Sequence, residues 1–389
     1  MRISRFPALA GTLFAIAAVP PPVAFAKSDA LGAHCTKQSP QTKLFRRLAE
    51  IYSLAEPLVG VSEISLQEAS SIAHFKMAYD KCGRLVDIQY FQGKTPKPID
   101  ENFSANRFVP ASRLRIERSA GSAVYRFFDN AGVRKAVFDN VLSVSMQYDQ
   151  VGRQINAKFF DANEQLVNSS LGYAELRWRW VDTNTAIETR YDVNGNIVEG
   201  GGDFPFSEAA IDFTKDGFAK TISPLNSHKH VYIERNNNHT RKSTYVLDDD
   251  GAPARGGAAN VARIDYAYND NRYLVRAKYL SESGAPLIAR SGHMGFERVY
   301  NEAGNRLAYN FLDEQDAIWI PPDRGYAGQR FHWREDGVVR VRSDYVDASG
   351  QIINHPDRKY ASILFEFDER NLVTKQTYLD VDGNVVTED

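Results

Sequence analysis

Histidine and aspartate side chains at short spacings are the groups of this chain that could bind a metal ion. His228 and His230 are two residues apart, so on a strand both imidazoles would lie on one face, and His239 follows after an Asn-rich turn. Asp248–Asp250 and Asp380–Asp382 each precede a glycine and could offer carboxylate oxygens to calcium. No HExxH helix and no complete calcium loop accompanies these residues, and Asp-Gly is also a common hairpin tip. The sequence therefore predicts no metal and no cofactor.

Nucleophilic catalysis would need its residues in a recognisable local frame. The chain contains no Gly-x-Ser-x-Gly sequence, and Gly200–Gly202 lacks the lysine and helix of a phosphate-binding loop. The sequence nominates no catalytic residue and favours a non-enzymatic protein. The alternative is a hydrolase of the cell envelope or of a polysaccharide, with its site in a groove of a sheet.

Aromatic side chains are abundant, with 19 Tyr, 22 Phe and 4 Trp. Trp178 and Trp180 are two residues apart and would share one face of a strand, with Arg177 and Arg179 on the other face. If the tryptophan face were exposed, it would offer a flat binding platform for sugar rings or peptide. The core is the favoured location, because large aromatic side chains are usually buried. These two residues are nevertheless the best candidates for an exposed binding site.

The charge balance argues against a nucleic-acid partner. The 389 residues include 47 Lys+Arg and 49 Asp+Glu, which gives a formal net charge of -2. A nucleic-acid-binding surface normally has a basic excess. The partner classes that remain are an envelope protein or a wall glycan.

The N-terminus has the features of a secretory signal peptide. Arg2 and Arg5 precede a short apolar stretch, and Ala24-Phe25-Ala26 forms a small-x-small cleavage site. The apolar stretch is shorter than the ~20 residues that cross a bilayer, and no later segment comes closer to that length. We expect cleavage after residue 26, no transmembrane segment thereafter, and a location in the periplasm or at the cell surface.

Export to an oxidising compartment favours pairing of the two cysteines. Cys35 and Cys82 are the only cysteines of the chain, and they would close a loop worth ~4 kcal/mol in the chain-entropy model. We therefore predict a Cys35–Cys82 disulfide.

The region after the signal peptide combines helix signals with a first hairpin. Ser39-Pro40 resembles a helix start, and apolar residues then recur at helical spacing until Pro57. A capping box at Ser65–Glu68 predicts a second, short helix. From Phe75 the apolar residues alternate on both sides of a turn, which is the pattern of a β-hairpin. The Pro-rich segment 94–110 predicts a loop.

An internal repeat organises the rest of the chain. An aromatic residue precedes the first turn of each of the last four copies, at spacings of 32, 33 and 34 residues, and a second aromatic anchor recurs at 32, 34 and 33. Such a period indicates a repeat architecture, in which each unit is too small to bury its apolar face alone. The first-turn anchors are Tyr268, Tyr300, Trp333 and Phe367.

The turn sequence is similar to a known repeat. Tyr79-Asp80-Lys81-Cys82-Gly83-Arg84-Leu85 is a complete Tyr-Asp-x-x-Gly-Arg-Leu motif, and weaker copies begin at Phe128, Tyr148, Tyr191, Tyr300 and Phe367. This resembles the YD repeat of the bacterial RHS family over roughly residues 75 to 389. The resemblance implies β-hairpins that assemble into a spiralling sheet. The period near 33 is longer than that of the family repeat, and the chain ends inside a repeat, so toxin delivery is not predicted.

These observations combine into one prediction of fold and function. We expect a mainly β protein of tandem antiparallel hairpins, about 33 residues each, in an extended or spiralling sheet with a short helical N-terminal cap. The expected divisions are a signal peptide (1–26), the helical cap (27–74), a first hairpin with a Pro-rich linker (75–114) and the repeat array (115–389). The predicted role is an exported binding or scaffold module of the cell envelope.

Overall fold

The computed structural model describes residues 39–99, 109, 111–201 and 204–387, and within these ranges the chain is almost entirely β-structure. The one helix there is α1 (Leu66–Ala69). The strands are β1 (Gln41–Leu48), β2 (Gly60–Glu63), β3 (Ala73–Tyr79), β4 (Leu85–Gln92), β5 (Thr95–Pro96), β6 (Arg113–Ser119), β7 (Ser122–Phe128), β8 (Ser143–Tyr148), β9 (Gln154–Phe160), β10 (Glu175–Trp180), β11 (Thr185–Tyr191), β12 (Glu208–Phe213), β13 (Ala219–Pro224), β14 (Lys229–Arg235), β15 (Arg241–Asp248), β16 (Arg263–Tyr268), β17 (Leu274–Leu280), β18 (Gly295–Tyr300), β19 (Arg306–Leu312), β20 (Gly328–Trp333), β21 (Arg340–Val346), β22 (Ser362–Phe367), β23 (Val373–Leu379) and β24 (Val385–Val386).

All these strands belong to one antiparallel sheet. Strand β1 lies between β2 and β3, and β4 pairs with both β5 and β6. From β7 to β23 each strand pairs with the strands before and after it in the chain, and β24 pairs with β23. The predicted mainly β fold of tandem hairpins is confirmed.

Local turn chemistry explains where the hairpins reverse. In the β8–β9 turn, Oδ1 of Asp149 accepts hydrogen bonds from the backbone N–H groups of Val151 (3.0 Å) and Arg153 (2.8 Å). Gly152 occupies the left-handed region with φ of 84°, which glycine adopts without steric cost. The same pair of bonds is made by Asp80, Asp129, Asp161, Asp192, Asp248, Asp313, Asp347, Asp368 and Asp380.

Consecutive hairpins are joined by longer connections, some of which end in a buried tyrosine followed by a buried alanine. Ala327 and Ala361 follow Tyr326 and Tyr360, and both alanines are fully buried where the next strand begins. His293 occupies the position of these tyrosines one repeat earlier. The aromatic rings form a ladder across the repeats, with centroids 4.6 to 5.9 Å apart, in the order Tyr279, His293, Phe311, Tyr326, Tyr345, Tyr360 and Tyr378.

The helix predicted from Ser39-Pro40 to Pro57 is wrong, because Gln41–Leu48 forms strand β1. This strand is buried on both faces: Phe45 contributes to the main core, while Leu44 packs in a small cluster with Ile64. A strand buried on both faces loses its polar–apolar alternation, so its apolar spacing resembles that of a helix. The second helix is confirmed, since α1 begins at the Ser65–Glu68 capping box. The predicted signal peptide and Cys35 lie outside the described residues.

Hairpins that are far apart in sequence meet at their edges, so the sheet spirals. Nη1 of Arg47 donates to the carbonyl of Arg272 at 2.6 Å, and Nδ2 of Asn130 donates to the carbonyl of Arg370 at 2.5 Å, across 225 and 240 residues. Arg47 lies near the end of β1, and Asn130 lies in the connection that follows β7. Their partners Arg272 and Arg370 lie in the short turns of the β16–β17 and β22–β23 hairpins. One turn of the spiral therefore takes about seven hairpins. The spiralling form of the sheet follows from these contacts.

We call strands β1 to β15 the first coil of the spiral and strands β16 to β24 the second coil. The interior of the first coil is filled by the chain itself. Residues 49–59, which we call the plug, connect β1 to β2 and contribute Ala49, Ile51, Leu54 and Ala55 to the largest hydrophobic cluster. That cluster extends along the chain to Ile233 in β14. Beyond β15 the aromatic residues form two smaller clusters. The face of the sheet that carries these clusters is called the inner face below.

Candidate functional site

The tryptophan pair lies on the inner face and does not form an exposed platform. Trp178 is 3% exposed, and its Nε1 donates to Glu188 at 2.9 Å. Trp180 is half-buried, and its Nε1 donates to the carbonyl of Gln154 at 2.8 Å. Arg177 and Arg179 project from the opposite face. The expectation of an exposed tryptophan site is therefore corrected: the indoles pack in the core and use their N–H groups there.

The three histidines considered as metal ligands do not come together. His228 and His230 contact Asp249 at 2.7 and 3.0 Å on the surface. His239 lies at the other end of β14, in the next turn, where its ring stacks on Phe218. In the described ranges no group of three or more His, Cys, Asp or Glu side chains could hold a metal ion.

The aspartate clusters act in turns. Oδ1 of Asp248 accepts from the backbone N–H groups of Asp250 and Ala252, at 3.1 and 2.8 Å. Asp380 makes the equivalent bonds in the last turn. These hydrogen bonds lower the pKa of Asp380, and the side-chain contact from Asn384 is the largest contribution. Both clusters are accounted for by hairpin geometry.

A buried carboxylate, Glu56, fixes the plug to the sheet. Its side chain is fully buried, and Oε2 accepts from the backbone N–H of Ala219 at 2.9 Å and from Nη2 of Arg235 at 3.1 Å. Oε1 accepts from the backbone N–H groups of Tyr52 and Ser53. Burial raises the pKa of Glu56 against the opposing effect of Arg235. Four donors converge on this carboxylate, so its role is structural.

A second carboxylate, Glu50, links the plug to β1 and β15. Glu50 pairs with Arg47 at 2.9 Å and with Arg241 at 3.0 Å. Burial disfavours its charged form, but the two guanidinium groups outweigh burial and lower the pKa of Glu50 to about 2. Glu50 is therefore ionised at neutral pH and holds two cations in the interior.

The inner face of the second coil differs from that of the first in its charge. Strands β16 to β23 contain four acidic residues, and each of them is adjacent in sequence to an aromatic residue of the inner face. Because neighbouring residues of a strand point to opposite faces, the four acidic side chains lie on the other face, called the outer face. There the acids form ion pairs, such as Asp265 with Arg263 at 2.6 Å and Asp344 with Arg342 at 2.6 Å. The other two acids are Glu297 and Glu366.

Three arginines lie among the aromatic rings of this inner face. The guanidinium of Arg298 lies 4.6 Å from the ring centroid of Phe296. Arg306 and Arg340 lie 4.7 and 5.2 Å from that of Phe331. Contacts of this kind hold a guanidinium in place through its interaction with the ring. The result is a face with aromatic and cationic character and without acidic side chains from strands β16 to β23.

Arg298 departs from the repeat pattern. It stands two residues before the last residue of the first strand of its hairpin, where the other hairpins have apolar residues, except for β6–β7, which has Glu117. Its Nε is buried without a hydrogen-bond partner. Sequence reasoning missed Arg298, although comparison of this position between repeats would have revealed it. The equivalent residues are Met77, Met146, Trp178, Ile211, Ile233, Tyr266, Phe331 and Phe365.

Two further observations concern the cysteines and the membrane. Cys82 lies in the β3–β4 turn, and the part of the chain that the structure describes contains no free cysteine. Because Cys35 is outside that part, its pairing with Cys82 stays a prediction. Among the same residues no helix is long and apolar enough to span a membrane.

Comparison with known proteins gives distant structural similarity only. No protein-family model matches the sequence, so none confirms the YD-repeat resemblance, and no curated protein matches it either. The chain is similar to the Photorhabdus luminescens Tc holotoxin pore with the TccC3 D651A mutation, with 9% identity, a TM-score of 0.26, and coverage of 81% of this chain and 19% of that one. The chain is also similar to the TcdB2-TccC3-Cdc42 structure, with 9% identity and a TM-score of 0.26. This match covers 81% of this chain and 22% of that one. The match to TcdB2-TccC3 without its hypervariable C-terminal region has 12% identity and a TM-score of 0.19, and it covers 81% of this chain and 20% of that one. The chain thus spans about one fifth of the length of these chains.

Proposed function

We propose that this protein is an exported, non-enzymatic repeat scaffold that binds a component of the cell envelope, and that the inner face of β16 to β23 is its binding surface. The observation that carries the proposal is the contrast between the two coils. The plug fills the first coil with apolar side chains and paired charges. The second coil has half-buried tyrosines and arginines on the same face.

An extended sheet face suits binding because it spreads contacts over several hairpins. Each hairpin contributes side chains at the same register, so a long ligand meets a repeated set of groups. Arginine and aromatic residues are the types that dominate the binding energy of interfaces. The predicted signal peptide supports export, with the periplasm or the cell surface as the place of action.

A binding experiment with isolated envelopes tests this function. The full chain, expressed in a bacterium, is expected in the periplasmic or surface fraction with its N-terminus cleaved after residue 26. Purified protein is expected to bind envelope fragments saturably and to release no soluble fragments from them. Retention in the cytoplasm with an intact N-terminus would refute export. Release of sugars or peptides, abolished by one Asp, Glu or His substitution, would make the protein a hydrolase instead.

A further inference from the structure

A polar row crosses the inner face of the second coil. Arg298 in β18 lies directly opposite Tyr309 in β19, and Tyr309 lies directly opposite Gln329 in β20. Opposite residues of an antiparallel pair project from the same face, so the three side chains are neighbours. Over two strand spacings the row is about 10 Å long.

The three side chains retain hydrogen-bonding capacity. All three are half-buried, and within the described residues no side-chain hydrogen bond or ion pair involves Arg298, the Tyr309 hydroxyl or the Gln329 amide. A buried polar atom without a partner costs free energy unless something else satisfies it. The Nε of Arg298 is such an atom, and its terminal nitrogens are the groups that a ligand can reach.

Aromatic packing fixes the row in place. The Arg298 guanidinium lies over the rings of Phe296 and Tyr309, at 4.6 and 5.9 Å from their centroids. The same two rings stack on each other at 5.3 Å. Burial raises the pKa of Tyr309, so its hydroxyl remains a hydrogen-bond donor at neutral pH. The charged group of the row is thus held at one end by rings that leave it little freedom.

We propose that Arg298, Tyr309 and Gln329 form the binding row for an acidic saccharide, whose carboxylate pairs with Arg298 and whose hydroxyl groups hydrogen-bond to Tyr309 and Gln329. This inference rests on the proposed binding function and specifies its ligand. A guanidinium matches a carboxylate through two parallel N–H donors. A phenol hydroxyl and an amide both donate and accept, as sugar hydroxyl groups do.

The distribution of charge in the row favours a saccharide over an acidic peptide. The row itself has one cation at one end and two neutral polar groups beyond it, so it matches a ligand with one negative group next to neutral hydroxyls. The other two arginines that act on Tyr309 are already engaged: Arg306 is buried over Phe331, and Arg324 donates to the carbonyl of Ser291. A run of acidic side chains would place further carboxylates against Tyr309 and Gln329, which carry no positive charge. Phe296 and Phe311 lie beside the row on one side, where both rings are buried and support it from within the core.

The test measures binding of trigalacturonate to the full chain by calorimetry, with maltotriose as the neutral probe and hexaglutamate as the peptide probe. We expect binding of trigalacturonate alone. Arg298→Phe should weaken it about tenfold or more, which corresponds to ~1.4 kcal/mol. Tyr309→Phe and Gln329→Leu should each weaken it several-fold. The matched control is Arg179→Leu, which removes an exposed arginine of the outer face and should leave binding unchanged.

Folding is controlled by the choice of substitution, because phenylalanine is the residue found at the position of Arg298 in the next two repeats. The melting temperature of Arg298→Phe should therefore equal or exceed that of the wild type. Three results would overturn the saccharide row. These are no binding of trigalacturonate, an affinity of Arg298→Phe for trigalacturonate equal to that of the wild type, or binding of hexaglutamate with an affinity that Tyr309→Phe and Gln329→Leu leave unchanged. If envelope fragments still bind while any of these holds, the proposed function survives and only the ligand assignment fails.

Discussion

Replacement of Glu56 by glutamine should destabilise the protein by ~3–5 kcal/mol, because it breaks a buried ion pair and leaves the charge of Arg235 in the interior. The two oxygens of Glu56 accept from four donors. A glutamine amide has one acceptor oxygen, so two donors would face an N–H group in either orientation. A buried donor that loses its acceptor costs ~1–3 kcal/mol, which is consistent with the larger figure for the charged pair.

The matched control is Glu63→Gln, on strand β2 at the end of the same connection. Glu63 pairs with Lys43 at 3.1 Å, and the two side chains are 55% and 35% exposed. Solvent screens such a pair, so its loss should cost less than ~1 kcal/mol. Each variant replaces one carboxylate that forms an ion pair. The Glu56 carboxylate is buried, whereas the Glu63 carboxylate is exposed.

Urea unfolding measures the two free energies, and hydrogen exchange locates the effect. The Ala219 amide donates to Glu56, so its protection should fall in Glu56→Gln and stay unchanged in Glu63→Gln. Equal destabilisation in the two variants would refute the reasoning. It would mean that the plug is not anchored to the sheet by this carboxylate.

Three further predictions concern other parts of the fold. Burial lowers the pKa of His293 to about 4. Between pH 6.5 and 4 the unfolded chain therefore binds a proton at this residue that the folded chain does not bind. The free energy of unfolding thus decreases as the pH falls through this window. Unfolding curves across this range should show that His293→Tyr removes this loss, whose slope approaches ~1.4 kcal/mol per pH unit; an unchanged slope would contradict the assignment. Trp178→Ala should cost ~3–5 kcal/mol in urea unfolding, whereas Arg179→Ala on the outer face should cost less than ~0.5 kcal/mol. Peptide mass mapping of protein recovered from an oxidising compartment should show Cys35 and Cys82 in one cross-linked fragment, and two free thiols would disprove the disulfide.

The positions of the hairpins were predictable from the sequence because their causes are local. An aspartate such as Asp149 accepts from backbone groups two and four residues later, and Gly152 takes the positive φ that the turn requires. These contacts need no partner from elsewhere in the chain, so the turn sequence determines the turn. The capping box of α1 was predictable for the same reason.

Strand β1 was not predictable from its own residues. Leu44 and Phe45 are consecutive and both buried, because two separate clusters cover the two faces of the strand. The spacing of apolar residues shows which positions of a segment are buried. When both faces of a short strand are buried, this spacing cannot distinguish the strand from a helical segment. The partners that decide between the two structures, β2 and β3, come later in the chain.

The sequence by itself determined the repeat, the turns and the antiparallel meander of this protein, since each depends on side-chain and backbone contacts within one hairpin. Only the tertiary structure decided which side chains meet between hairpins. Glu56 and Arg235 are 179 residues apart, and their contact depends on the curvature accumulated over many strands. The row of Arg298, Tyr309 and Gln329 likewise exists only because strand register aligns three residues that no local pattern connects.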